Sequence, residues 1–237
     1  MRARVWFGGL AAIGLALLLH STSGRAAGAA CSEPKPKTSN YWEDVANPRE
    51  CELLNEYPGV VRRSDVSLTV KLKNGTTVYY YDNPYAHIIE CGLHDDNTDD
   101  CLIFRVWDIS PDRRYVTLKL GYYEGGSALL VDRQTGAELP LNSEPFLSPS
   151  GRYWAVVDSA GGYGAGVMDV VGRRSGRPSI IASADIGLCD FERWDSDTSF
   201  LVTCYDDETD VRAEQRVTWN RSGTMSMSST GRVPADF

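Results

Sequence analysis

Ser110-Pro111-Asp112-Arg113-Arg114-Tyr115 and Ser148-Pro149-Ser150-Gly151-Arg152-Tyr153 stand 38 residues apart, and the rest of the chain is read from them. In each, Pro fixes φ, small polar residues cap a bend, and Tyr opens an alternating run. The first copy predicts strands over 115–120, 128–132 and 137–141, with a turn at Arg133-Gln134-Thr135-Gly136. The second predicts strands over 153–158, 166–171 and 178–182. A weaker third copy, Asp195-Ser196-Asp197-Thr198-Ser199-Phe200, leads into strands over 200–205, 212–219 and 224–228, with a turn at Asn220-Arg221-Ser222-Gly223. Self-similarity with a period of about 40 residues and several strands per unit predicts stacked or radial β-repeats.

Upstream, Leu68, Val70 and Leu72 alternate with polar residues, Asn74-Gly75 supplies a turn that needs positive φ, and alternation resumes over 76–81. This is a hairpin signal. Tyr79, Tyr80 and Tyr81 are consecutive on one strand, so the middle ring must face away from its neighbours.

Ser-Pro-Asp-x-x-Tyr at 110–115, an alternating strand, and Val-Asp-x-x-Thr-Gly at 131–136 together resemble the WD40-like propeller repeat of the TolB C-terminal type. The resemblance covers residues 104–228 and implies one blade per repeat, with no indication of a ligand. The expected fold class is all-β, a propeller-like stack of small antiparallel sheets made of three repeats and an N-terminal hairpin unit. A closed propeller takes roughly 4 to 8 four-stranded blades, so a β-sandwich is the alternative.

The chain opens with Arg2 and Arg4, an apolar run over 7–19, and small residues over 26–30. That order is the pattern of a secretory signal peptide. The run is shorter than the roughly 20 residues of a membrane-spanning helix, and no second one follows, so no integral span is expected. The expected organisation is a signal peptide over 1–30, an N-terminal tether over 31–57 that is rich in Pro, Lys and Asn, and a single β-repeat domain over 58–237. The location is periplasmic or secreted. Cleavage after Ala30 would expose Cys31, and Gly28-Ala29-Ala30-Cys31 resembles a lipid-attachment box with Gly28 in place of its large aliphatic residue, so a lipid anchor at Cys31 is a second possibility. Removing Arg2, Arg4 and Arg25 takes the formal net charge from −8 to −11, which argues against nucleic acid and anionic lipid as partners.

Six cysteines in an exported chain point to disulfides. A hairpin centred between Ser196 and Asp197 sets Cys189 opposite Cys204. Cys91 and Cys101 bracket a polar loop, which leaves Cys31 with Cys51. No spacing is the CxxC of a zinc or redox site.

The sequence holds no Gly-x-Ser-x-Gly elbow, His-Glu-x-x-His, dinucleotide fingerprint or phosphate loop, and His87 lies in an apolar stretch that suits packing better than base catalysis. Within the loop 94–100, Asp95, Asn97 and Asp99 carry the spacing that gathers oxygens round Ca²⁺. Asp100 replaces the turn glycine of such a loop, and Val106 replaces its final Glu, so a solvated acidic loop is the plainer reading. Tyr122, Tyr123 and Tyr163 fall near hairpin tips, where tyrosines suit protein or glycan contact. No other cofactor is expected. These residues fit a non-catalytic protein that binds a protein partner through loops at one end of the strands. An envelope assembly factor or an inhibitor would both answer to that description. The alternatives are a glycan-acting enzyme with paired carboxylates and a Ca²⁺-stabilised structural domain.

Overall fold

The computed structural model describes residues 49–64, 67–82, 102–122, 125–159, 166–206 and 211–232. They form a short helix, α1 (Glu50–Glu56), and four consecutive sheets. Sheet 1 holds β1 (Val61–Arg63), β2 (Ser67–Lys71) and β3 (Thr77–Tyr81). Sheet 2 holds β4 (Ile103–Ile109), β5 (Tyr115–Tyr122), β6 (Gly125–Asp132) and β7 (Ala137–Leu141). Sheet 3 follows with β8 (Pro145–Leu147), β9 (Trp154–Asp158), β10 (Gly166–Arg174) and β11 (Arg177–Ile186). Sheet 4 ends the series with β12 (Leu188–Ser196), β13 (Ser199–Asp206), β14 (Val211–Trp219) and β15 (Met225–Ser229). Within each sheet the strands lie in chain order and every pair is antiparallel. The described residues are therefore all-β apart from α1, a propeller-like stack of small antiparallel sheets.

Two expectations need correction. Each repeat supplies four strands rather than three, because β4, β8 and β12 precede the repeat turn and pair with the strand that follows it. The expected tether over 31–57 also gives way at Glu50 to α1, whose Leu53 is buried in the core between sheets 1 and 2. Glu50 and Glu52 in the first turn suit the positive end of the helix dipole. A helix this short does not hold itself, so packing through Leu53 is what keeps it.

The repeat turn has the same bonds in both strong copies. Tyr115 N donates to Ser110 Oγ at 2.8 Å and Ser110 N to Tyr115 O at 3.0 Å; Tyr153 N donates to Ser148 Oγ at 3.2 Å and Ser148 N to Tyr153 O at 2.8 Å. The fourth residue takes a left-handed backbone in each, φ 55° at Arg113 and 70° at Gly151. The weaker copy differs physically as well as in sequence: only Asp197 and Thr198 separate the paired residues Ser196 and Ser199.

Three apolar clusters fill the three gaps between successive sheets. Leu68, Val70 and Tyr80 meet Val106, Val116 and Val131 between sheets 1 and 2. Tyr115 and Leu130 meet Trp154 and Val171 between sheets 2 and 3. Val170 and Ala182 meet Phe200 and Val217 between sheets 3 and 4. Among the described residues no such cluster joins sheet 4 to sheet 1.

Cys189 and Cys204 are disulfide-bonded across β12 and β13, with Cα atoms 4.0 Å apart. The hairpin arithmetic names this pair, although the true turn lies one residue later; bulges between Phe191 and Arg193 and between Trp194 and Ser196 restore the register. Cys51 is also disulfide-bonded. Its partner and the expected Cys91–Cys101 pair lie outside the described residues, as do residues 1–30.

Candidate functional site

Sheet 1 shows a clean alternation. Leu68 and Val70 on β2 and Tyr80 on β3 point into the core, at 0%, 0% and 7% exposure, whereas Tyr79 and Tyr81 stand in solvent at 56% and 64%. Of the large apolar side chains described, these two are the most exposed. Their rings are stacked, with centroids 6.1 Å apart and planes 11° from parallel. Tyr80 explains why the strand cannot turn over: its hydroxyl donates to Glu138 Oε1 at 2.5 Å, and its ring packs 5.4 Å from Phe104. Burial first, and then the bond to Glu138, raise the Tyr80 phenol well above its ordinary range, so it is a fixed donor.

The register places cations beside the tyrosines. Arg62 pairs with Thr69, and Thr69 with Tyr79, so the three form one cross-strand row on the outer face. Lys71, opposite Thr77, lies one row further along the same face. Arg62 and Lys71 are both exposed. Arg62 Nε donates to Pro58 O at 3.0 Å, and neither cation has a carboxylate partner among the described residues. The outward positions of the three strands thus carry two cations, two exposed tyrosines and hydroxyl side chains, with no acid, in a chain of net charge −8.

A buried ionic network holds this sheet in place. Arg63, the neighbour of Arg62, donates from Nη1 to Asp82 Oδ2 at 2.8 Å and from Nη2 to Glu50 Oε1 at 3.1 Å. It also donates to Phe104 O. Arg105 Nη1 donates to Glu50 Oε2 at 3.0 Å. The two carboxylates also receive backbone N–H groups from the outer edge of β4, Phe104 N on Asp82 Oδ1 and Val106 N on Glu50 Oε1, each at 2.9 Å. An edge strand with free N–H groups is a template for unwanted pairing; here Glu50 and Asp82 cap it. The same bonds anchor the chain on either side of the site, because Asp82 follows Tyr81 and Arg63 follows Arg62. Buried carboxylates so fully engaged are structural.

The residues singled out from sequence fall elsewhere. Tyr122 ends β5, its backbone paired with Gly125, and Tyr123 and Tyr163 lie outside the described residues. So do Asp95, Asn97 and Asp99, together with His87 and His94. Among the described residues no cluster of His, Cys, Asp or Glu is placed to hold a metal ion, and no helix is long and apolar enough to cross a membrane. Sequence reasoning found the alternation of the three tyrosines but missed Arg62 and Lys71. The signal for them was available: both alternate out of phase with Val61, Leu68 and Val70, on the face opposite the core.

No family model and no curated protein matches the chain. Among solved structures it is similar to a Mycobacterium tuberculosis puromycin-hydrolyzing peptidase, with a TM-score of 0.38 and 15% identity over 73% of this chain and 30% of that one. It is also similar to a Bacteroides uniformis protein assigned as a 6-phosphogluconolactonase, with a TM-score of 0.34 and 11% identity over 70% of this chain and 63% of that one. The chain thus spans less than two thirds of either structure. Likeness at this level carries no argument about activity, and the fold assignment rests on the four sheets themselves.

Proposed function

We propose that this chain is exported and acts in the periplasm or outside the cell as a non-catalytic binding protein for a protein partner. The observation that carries the reading is the stacked, exposed pair Tyr79 and Tyr81 on a face backed by a well-packed sheet. Large aromatic rings left in water on a rigid support are what interface hot spots are made of. The signal-peptide pattern at the N-terminus and the cysteine content agree with an oxidising compartment. A carboxylate-dependent enzyme has less in its favour at this site, since Glu50 and Asp82, the two buried acids of this network, are bound to arginines and to β4.

Affinity capture from an envelope extract tests the reading. The wild-type chain should retain a stoichiometric protein, and Tyr79→Ala/Tyr81→Ala should release it; a wild-type chain that retains nothing above background sinks the proposal. Loss on Tyr122→Ala/Tyr123→Ala/Tyr163→Ala instead would keep the binder and move its site to the hairpin tips.

A further inference from the structure

We infer that the outer face of sheet 1 recognises an acidic polypeptide segment, with Tyr79 and Tyr81 as apolar anchors and Arg62 and Lys71 as the groups that read the charge. The inference rests on the proposed binding role and names the chemistry of the partner.

Charge complementarity is the first argument. The chain carries an excess of acid, yet this face has cations only, and both are exposed without a carboxylate to neutralise them among the described residues. Some exposed arginines elsewhere do find acids, Arg193 with Glu214 at 3.3 Å and Arg216 with Asp195 at 3.0 Å on sheet 4, whereas others, Arg173, Arg174 and Arg177 among them, have none among the described residues. What sets this face apart is that its unpaired cations stand beside the most exposed aromatic rings. A partner's carboxylates would supply what the chain itself withholds here, and complementary charge of this kind fixes register and excludes wrong partners.

Ring geometry is the second argument, and it favours a polypeptide over a glycan. A sugar ring stacks best on an aromatic face laid open as a platform. Tyr79 and Tyr81 stack on each other instead, so each screens one face of its neighbour and the pair offers ring edges and hydroxyls. Such fins interdigitate with side chains. Spacing along the strand supplies the third argument. Tyr79 and Tyr81 are two residues apart on β3, and Arg62 lies across Thr69 from Tyr79. An extended segment that alternates acidic and apolar residues has the same period of two.

The test uses the full, disulfide-bonded chain and a fluorescent peptide in which Glu alternates with Leu. Two further probes are its Lys-for-Glu counterpart and sodium alginate, a polyuronate. The Glu peptide should bind. Arg62→Glu/Lys71→Glu and Tyr79→Ala/Tyr81→Ala should each weaken it by about tenfold or more, the size expected when a charge is reversed or an aromatic anchor removed. Arg221→Glu, in the β14–β15 turn, should leave it unchanged. All five altered positions are exposed, so far-UV circular dichroism and the urea midpoint should match those of the wild type, which separates a lost contact from a lost fold. The inference is overturned if the Lys peptide binds as well as the Glu peptide, or if charge reversal has no effect. Alginate binding that depends on the tyrosines while the peptide fails would make the face a glycan surface. Self-association abolished by Tyr79→Ala/Tyr81→Ala would make its occupant a second copy. Either result overturns the acidic-polypeptide assignment. Failure of every probe alongside successful capture from extract would remove this inference and leave the binding role standing.

Discussion

Arg114 grips Asp132 with both arms of its guanidinium, Nε to Oδ1 at 3.0 Å and Nη2 to Oδ2 at 2.8 Å, and Nη2 reaches on to Gly176 O in sheet 3 at 2.7 Å. Asp132 is fully buried and also accepts Gln134 N at 2.9 Å and Thr135 Oγ1 at 3.0 Å. Arg114→Ala leaves that carboxylate buried without its charge partner and should cost about 3 kcal/mol in urea unfolding. Asp132→Asn should cost roughly half as much, because an amide still makes the turn bonds. Sheet 4 contains the precedent: Asn220 Oδ1 accepts Ser222 N at 2.9 Å in the corresponding turn.

Acid should weaken the protein. Burial works against the charged forms of Asp132, Asp112 and Glu144, yet their hydrogen bonds prevail, from Arg114 and Gln134 to Asp132, from Arg114 and Ser110 to Asp112, and from Lys119 to Glu144. All three are held below the ordinary carboxylate range. A depressed folded-state value contributes stability that is present above the unfolded value, about pH 4, and that disappears as pH falls through the folded value. Urea midpoints from pH 6 to pH 2 should therefore decline below about pH 4, and Asp132→Asn/Glu144→Gln should flatten the decline.

Gly223 takes φ +86°, and a Cβ there would meet Ile181 O of sheet 3 at 2.5 Å. The contact is with backbone, so no side chain can swing aside. Gly223→Ala should lower stability by about 2 kcal/mol or more, combining left-handed strain with a forced separation of β11 from the β14–β15 turn. Gly75→Ala is the control. Its φ is +92° but open space surrounds the added methyl, so the difference between the two melting temperatures isolates the clash.

Glu50→Ala should destabilise the protein by about 3 kcal/mol, because it leaves buried Arg105 without its carboxylate, takes one of the two carboxylates from Arg63 and uncaps Val106 N. Hydrogen exchange gives the sharper reading: the amide of Val106 should lose protection before those of β5. Equal protection in the variant and the wild type would show that β4 does not need its carboxylate cap.

The parts of the fold legible in sequence are those whose causes are local. A Ser-Pro turn makes its bonds within six residues, from Ser110 to Tyr115, and the tyrosine alternation follows from the pleat alone. β8 is three residues long, too short for a period to register. β4 includes Arg105, whose burial makes sense only once Glu50, 55 residues away, is known to receive it. The Cys189–Cys204 pair was readable even though its hairpin turn was placed one residue early, because the two bulges that correct the register leave no mark in composition. For the candidate site, the alternation of the tyrosines and the outward phase of Arg62 and Lys71 are legible, and the pairing that joins them is not. Nothing local says that a strand as short as Val61–Arg63 would bring Arg62 into their row.

The three clusters that fill the gaps between sheets, with none described between the last sheet and the first, have a consequence for how the molecule comes apart. Among the described residues, each interior sheet is supported by a cluster on both sides and each terminal sheet by a cluster on one. Stability then accumulates by nearest neighbours, as along a short chain of coupled units. Loss of order should begin at the two ends and travel inward, with amides of sheets 2 and 3 the last to exchange. The disulfide across β12 and β13 and the ionic clamp on sheet 1 sit at those two ends, bracing the units that have only one neighbour.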